Sequence, residues 1–181
     1  ISQDILPGNE TGIVLSSYLT PGSSALLNSW STFYRIATRA NLILDKLVTA
    51  PATISDADKA IIEGEAEFIR GFAYFNLARA FGNIPLILTS YDDAQKSAEC
   101  TEEDKVWDQV IKDLTDASQK LPTRTAWGPE NLGRATKGAA LAYLANAYMY
   151  KSDWVSAIAA SESLIALDEY RLLPEIRDFF S

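Results

Sequence analysis

Histidine is absent from the chain and cysteine occurs once, at Cys100, so the groups left for proton or covalent chemistry are mainly carboxylates. They stand close together in three places: Asp56 and Asp58, Asp92 and Asp93, and the run Glu102-Glu103-Asp104. Two acids flanking a glycosidic bond can cleave it, one protonating the leaving oxygen while the other activates water or attacks the sugar. The first and third groups, however, fall where helices are expected to start, and acidic residues there answer the positive end of the helix dipole. Asp92-Asp93 reads as a solvated loop pair. Cys100 lacks the histidine base that would activate it, and alone it can form neither a disulfide within the chain nor a cysteine-based zinc site. No catalytic residue, metal site or cofactor is assigned.

Aromatic rings are the other candidates, because a Trp or Tyr lying outside helical periodicity can stack on the apolar face of a sugar ring. Tyr18, Tyr91 and Trp127 occupy loop-like sequence and are taken as ligand-binding candidates. Trp127, in Thr123-Arg-Thr-Ala-Trp127-Gly-Pro129, has a competing reading as a plug that fixes its loop to the helices behind it.

The elements that position these residues follow from apolar spacing. A helix is predicted from about Ala25, with Trp30, Phe33, Ala37, Ala40, Leu44 and Leu47 along one face and Asn41 beside them; Ala50-Pro51 ends it. Ser55 caps a second helix, with Asp58 completing an approximate capping box. That helix carries two apolar stripes, Ile62-Ala66-Ile69-Ala73-Leu77-Ala80 and Ile61-Phe68-Phe72-Phe75, so it must be covered on two sides. Gly82 caps its end and Pro85 prevents a restart. Thr101 is expected to cap a third helix on the face Trp107, Val110, Ile111, Leu114, Ala117 and Leu121, closed by Pro122. A loop from 123 to 133 precedes a fourth helix, about Ala135 to Lys151, and a fifth from Asp153 to about Leu167. The short join makes the last two an antiparallel hairpin.

Within that hairpin, at 134–168, Leu141, Leu144, Ala145, Tyr148, Trp154, Ala157 and Leu164 fall at tetratricopeptide-like (TPR-like) spacings. Small Ala145 and Ala157 would let the helices approach, with Tyr148 and Trp154 filling the space around them. Glu65 and Arg70, five positions apart, cannot pair along one face, so each is expected to reach neighbouring helices or loops. No segment alternates with period two. The expected fold is all-α, an irregular helical bundle or solenoid with TPR-like pairs, as one domain over 1–181 with a loop-rich lead-in at 1–24. Its composition, 48% hydrophobic and 22% charged, suits a folded domain, and a net charge of −8 argues against nucleic acid as a partner. No apolar run reaches the ~18 residues of a membrane span.

Four motifs in order then resemble the SusD/RagB family: Trp30-Ser-Thr-Phe-Tyr34-Arg-Ile36 through Asn41; Glu65-Ala-Glu-Phe-Ile-Arg70-Gly-Phe-Ala-Tyr74 through Phe81-Gly82-Asn83-Ile84-Pro85-Leu86; Val106-Trp107 through Leu121-Pro122; and Gly133-Arg134-Ala-Thr136-Lys-Gly-Ala-Ala140 with the Asp153-Trp154 hairpin and Tyr170-Arg171-Leu172. Trp30, Asn41, Glu65, Arg70, Gly82, Pro85 and Trp154 are thus read as structural signature residues. The resemblance implies a non-catalytic, surface-exposed outer-membrane lipoprotein of Bacteroidetes that binds glycans or other oligomeric nutrients. It further implies a partner, a SusC-like TonB-dependent transporter, and a lipidated cysteine upstream of this sequence, Cys100 being misplaced for that role. The chain is expected to be the N-terminal, TPR-bearing part of a longer protein. The alternative is a TPR-type protein-interaction module.

Overall fold

The computed structural model describes residues 24–90 and 98–171. The lead-in at 1–23, including Tyr18, lies outside the described residues, as do Tyr91 and Asp92-Asp93. Five long helices follow one another: α1 Ser24–Val48, α2 Asp56–Phe81, α3 Glu103–Lys120, α5 Lys137–Tyr150 and α6 Trp154–Ile165, with a one-turn α4 Arg124–Trp127 and a 3₁₀ turn Pro129–Asn131 between α3 and α5. The only strand-like pairing among the described residues is an isolated bridge between Ile84 and Thr101. Each long helix packs on the next, α1 on α2, α2 on α3, α3 on α5 and α5 on α6, while α2 and α5 only graze each other. This is the all-α stack of helical pairs that the spacing of apolar residues predicts.

Chain ends of the helices are set by local chemistry. Ser55 caps α2, its hydroxyl oxygen accepting from the Asp58 amide at 3.1 Å. Gly82, at φ +68°, returns its N–H to the Ala78 carbonyl, a backbone position that a side chain would strain. Thr136 caps α5 and Asp153 caps α6 through the Ala139 and Ser156 amides. α3 departs from expectation. Its cap position is Glu102, without a side-chain bond; the Glu103 amide instead donates to Asn83 Oδ1 at 2.9 Å. Thr101 is occupied by the bridge, its N–H donating to the Ile84 carbonyl.

α2 is the axis of the stack. Ala66, Ala73, Tyr74, Phe75, Leu77 and Ala78 are buried along it, against Val106, Val110 and Leu114 of α3 and Ala37 of α1. Gly71 lets α3 come close, since a methyl group there would lie 3.1 Å from Leu114 Cγ. The two-stripe reading fails at Ile69 and Ala80, which are exposed, because α1 and α3 cover less of the α2 circumference than full stripes require. Trp154 is a larger correction. It fills no gap between α5 and α6 but is 59% exposed at the start of α6; buried Ala145 and Ala157 let the two helices close without it.

Buried polar residues register the helices. Arg70 grips Asp113 of α3 with two bonds, Nε to Oδ2 at 2.8 Å and Nη2 to Oδ1 at 2.7 Å, while Nη1 donates to Asn41 Oδ1 of α1 at 3.1 Å. Burial alone would lower the guanidinium's affinity for its proton, yet the bonds and charge of Asp113 outweigh it and raise the pKa. Asn41 then donates its amide hydrogens to the carbonyls of Ile87 and Thr89. The Tyr34 hydroxyl donates to the Pro85 carbonyl at 2.7 Å, and the Tyr74 hydroxyl both donates to the Ile87 carbonyl and accepts from its N–H. Burial pushes the Tyr74 phenol up to about 12 and raises Tyr34 as well, so both stay protonated donors. The extended segment 83–90 is thereby bound across α1 and α2 through its own backbone. Trp30 closes the corner edge-on to Phe81, centroids 5.0 Å apart. Five of the signature residues, Trp30, Asn41, Arg70, Gly82 and Pro85, thus build a single strapped corner together with Tyr34 and Tyr74.

Candidate functional site

Prolines and glycines interrupt helical spacing between Leu121 and Ala135, and here the chain leaves an open hollow. Thr123 accepts from the Ala126 amide and so starts the one-turn α4, which Gly128 ends at φ +70°. The loop expected around Trp127 thus contains a helical turn, too short to leave a periodicity in the sequence. A cleft of about 570 Å³ opens between this turn, the N-terminal half of α5 and Tyr170. Trp127, Leu132, Ala139, Ala142 and Leu164 give it apolar walls, and Arg124, Asn131 and Thr136 supply polar groups.

Trp127 is held from three directions. Its Nε1 donates to the Ala135 carbonyl at 2.7 Å, its own carbonyl accepts from Asn131 Nδ2 at 2.9 Å, and the Arg134 guanidinium lies 3.9 Å from its ring centroid. Arg134 in turn forms a forked pair with Glu65 of α2, at 2.8 and 2.7 Å. Glu65 thus reaches a loop, as its distance from Arg70 around the helix requires, although it is half-buried rather than enclosed. The indole has one face covered and its N–H spent, which favours the plug over the open stacking platform.

On the far wall the segment Asp168–Arg171 is drawn across the cleft. The Glu169 carboxylate accepts from the Arg124 and Thr125 amides, both at 2.9 Å. Side-chain and backbone bonding at Thr125, with smaller help from Thr123 and Arg124, holds that carboxyl down to about 2. Tyr170 lies against Gly138, where a methyl group would come within 2.7 Å of Cζ, and its hydroxyl is 3.3 Å from Thr136 Oγ1. Glu169 is not singled out on sequence grounds, and Tyr170 stands only at the end of the fourth motif, not among the ligand candidates. The signal available was Gly138, a small residue in the first turn of a helix where nothing in the sequence asks for one.

Three of the carboxylates weighed for catalysis have structural partners. Asp58 accepts from the Ser55 hydroxyl, Glu103 accepts from Trp107 Nε1 at 3.0 Å, and Asp104 pairs with Lys151, just past the end of α5, at 2.8 Å. Among the described residues no group of three or more acidic, Cys or His side chains could hold a metal ion, and no helix is long and apolar enough to cross a membrane.

Sequence comparison decides the affiliation. A family model described as SusD-like, starch-binding associating with outer membrane, matches residues 15–149, from the lead-in to the penultimate residue of α5. The chain belongs to the SusD-like family. It is 32% identical over 170 residues to the SusD-like protein P38 of Formosa agariphila, an alignment covering 92% of this chain and 31% of that one. In three dimensions it is similar to a SusD superfamily protein of Bacteroides vulgatus, with TM-score 0.78, 28% identity, and 92% and 36% of the two chains covered. A laminarin-binding SusD-like protein also superposes, with TM-score 0.67, 29% identity, and 73% and 28% covered. The chain spans about a third of the length of these SusD-like relatives. The strapped corner and most of the cleft fall inside the SusD-like match, whereas Leu164 and Tyr170 lie beyond it.

Proposed function

We propose that this chain is the helical frame of a non-catalytic glycan-binding protein at the outer-membrane surface, which passes its ligand to a TonB-dependent transporter. The observation carrying the reading is the SusD-like match over 135 residues, from 15 to 149; that family is described as starch-binding and associated with the outer membrane. The superposition on a laminarin-binding relative supports a polysaccharide as ligand. Chemistry agrees: the cleft offers aromatic and aliphatic walls with a few hydrogen-bonding groups, the composition that holds small neutral ligands without transforming them.

The proposal is tested by calorimetric titration of the full chain with soluble starch, laminarin and unrelated polysaccharides, together with co-purification from outer-membrane extracts. Binding of a glycan without release of reducing ends, and recovery of a TonB-dependent transporter alongside, is the expected result. Silence across the panel, or steady hydrolysis, overturns it. A second reading, a protein-interaction module, is favoured by one feature: Trp154, Val155, Ile158 and Ile165 of α6 are all more than half exposed.

A further inference from the structure

We propose that the cleft beside α4 is a saccharide subsite in which Tyr170 is the stacking platform and the Arg124 guanidinium the polar grip. This rests on the glycan-binding reading above and assigns it to residues. Trp127, the obvious ring, is already committed to Ala135 and Arg134. Tyr170 is the available one: it lines the cleft and is 47% exposed. It is also stiffly mounted. Gly138 backs the ring, Thr136 lies within reach of the hydroxyl, and the neighbouring Glu169 is bonded to two amides of α4. A ring fixed before the ligand arrives loses little freedom on binding.

Arg124 faces the same space. Its backbone N–H is held by Glu169, so its position relative to Tyr170 is set through one residue. Its side chain is exposed and lines the cleft as well as the two smaller hollows that adjoin it at Asp168 and Glu169. The guanidinium has no bonding partner among the described residues, in contrast to Arg134, whose guanidinium is forked onto Glu65. A pyranose has an apolar C–H face and a rim of hydroxyls. The face suits a half-exposed phenol ring, and the rim suits an unpartnered guanidinium with five donors. At about 570 Å³ the cleft lies in the size range of small-ligand sites.

The test titrates the full chain with laminarin and soluble starch and carries the glycan that binds through four variants. Tyr170→Ala is expected to weaken binding by about tenfold, the upper range of a lost stacking contact. Tyr170→Phe keeps the ring face and stays near the parent. Arg124→Ala weakens binding by several-fold. Gly138→Ala, which drives the ring from its seat, reproduces the loss of Tyr170→Ala while leaving the phenol present. Hydrogen exchange on the unsubstituted chain makes the outcome independent of variant folding: added glycan is expected to slow the amides of 124–136 and 168–171. Parent-like binding by Tyr170→Ala and Arg124→Ala, or unchanged exchange in both segments, overturns the subsite and leaves glycan binding standing. Failure of the parent to bind any glycan overturns both.

Discussion

Two extended segments are tied to the helices in this molecule, and they are tied in opposite ways. Residues 83–90 are bound from beneath by Tyr34, Asn41 and Tyr74, which reach their carbonyls from buried or half-buried positions. Residues 168–171 are bound from above by Glu169 and Tyr170, both in contact with water. Each region also contains an arginine forked onto a carboxylate: Arg70 on Asp113 with side chains 10% and 1% exposed, and Arg134 on Glu65 at 40% and 22%. The bonds are equally short. What differs is the cost of losing them. Deprived of its partner, a buried ion keeps its desolvation penalty, whereas an exposed one recovers water. The first region is therefore a fixed joint. The second can be altered with little harm to the fold, a property suited to a ligand surface that must vary between proteins.

The contrast can be broken most directly at Arg70. Arg70→Met leaves Asp113 buried without a counter-charge, with only Gln109 still donating to it, and is expected to cost about 3–5 kcal/mol in urea unfolding. The double variant with Asp113→Leu should recover much of that, and a single variant that melts like the parent would remove the fixed joint altogether. Next comes Tyr74→Phe, which strands the N–H of Ile87 and leaves its carbonyl to Asn41 alone; a loss of about 1–3 kcal/mol is expected, with faster hydrogen exchange across 84–90. In the other region Arg134→Ala gives up an exposed pair and a ring contact, and should cost about 1 kcal/mol or less in the same unfolding assay. A larger loss would show that the rim is as rigid as the corner. The smallest global effect is expected from acid. The folded Glu169 carboxyl is held below its ordinary value of 4.5, at about 2, so its contribution is present above the ordinary value and is lost as pH falls toward 2. Carboxyl-resolved NMR should show Glu169 titrating at the low end of that window, with Tyr170 shifting alongside while α2 amides stay unchanged.

Most of the fixed joint was legible in the sequence because its devices are local. Ser55, Gly82 and the proline after α1 act within a turn of their own position, and the apolar spacing of α1 and α3 reports one buried face each. Asn41 and Arg70 stood out as polar residues on apolar faces. Their partner Asp113 did not, because a single acid three residues from Val110 looks like any solvated position on a helix. Tyr74 was hidden among aromatics, any of which could have been the fully buried one. Around the cleft, less was legible. α5 is apolar on every side, so its sequence does not say which face turns inward, and Trp154 was assigned inward when it points out. Trp127 was singled out by its place in a loop-like stretch, but its partner Arg134 was read only as part of a motif. Tyr170 and Glu169 act on residues more than 30 positions earlier, a relation that no local pattern encodes.

Arg70 also constrains the order in which the chain can be made. Its two partners in the joint come from α1 and α3, and Asp113 lies 43 positions downstream. With only α1 and α2 delivered, Nε and Nη2 of Arg70 have no acceptor on α3, so the pair lacks the bonds that fix its register. The corner can seal only once Asp113 has emerged, and residues 83–90, with no closed surface to lie across, must wait as well. A single ion pair thus ties the closing of the corner to three helices rather than two.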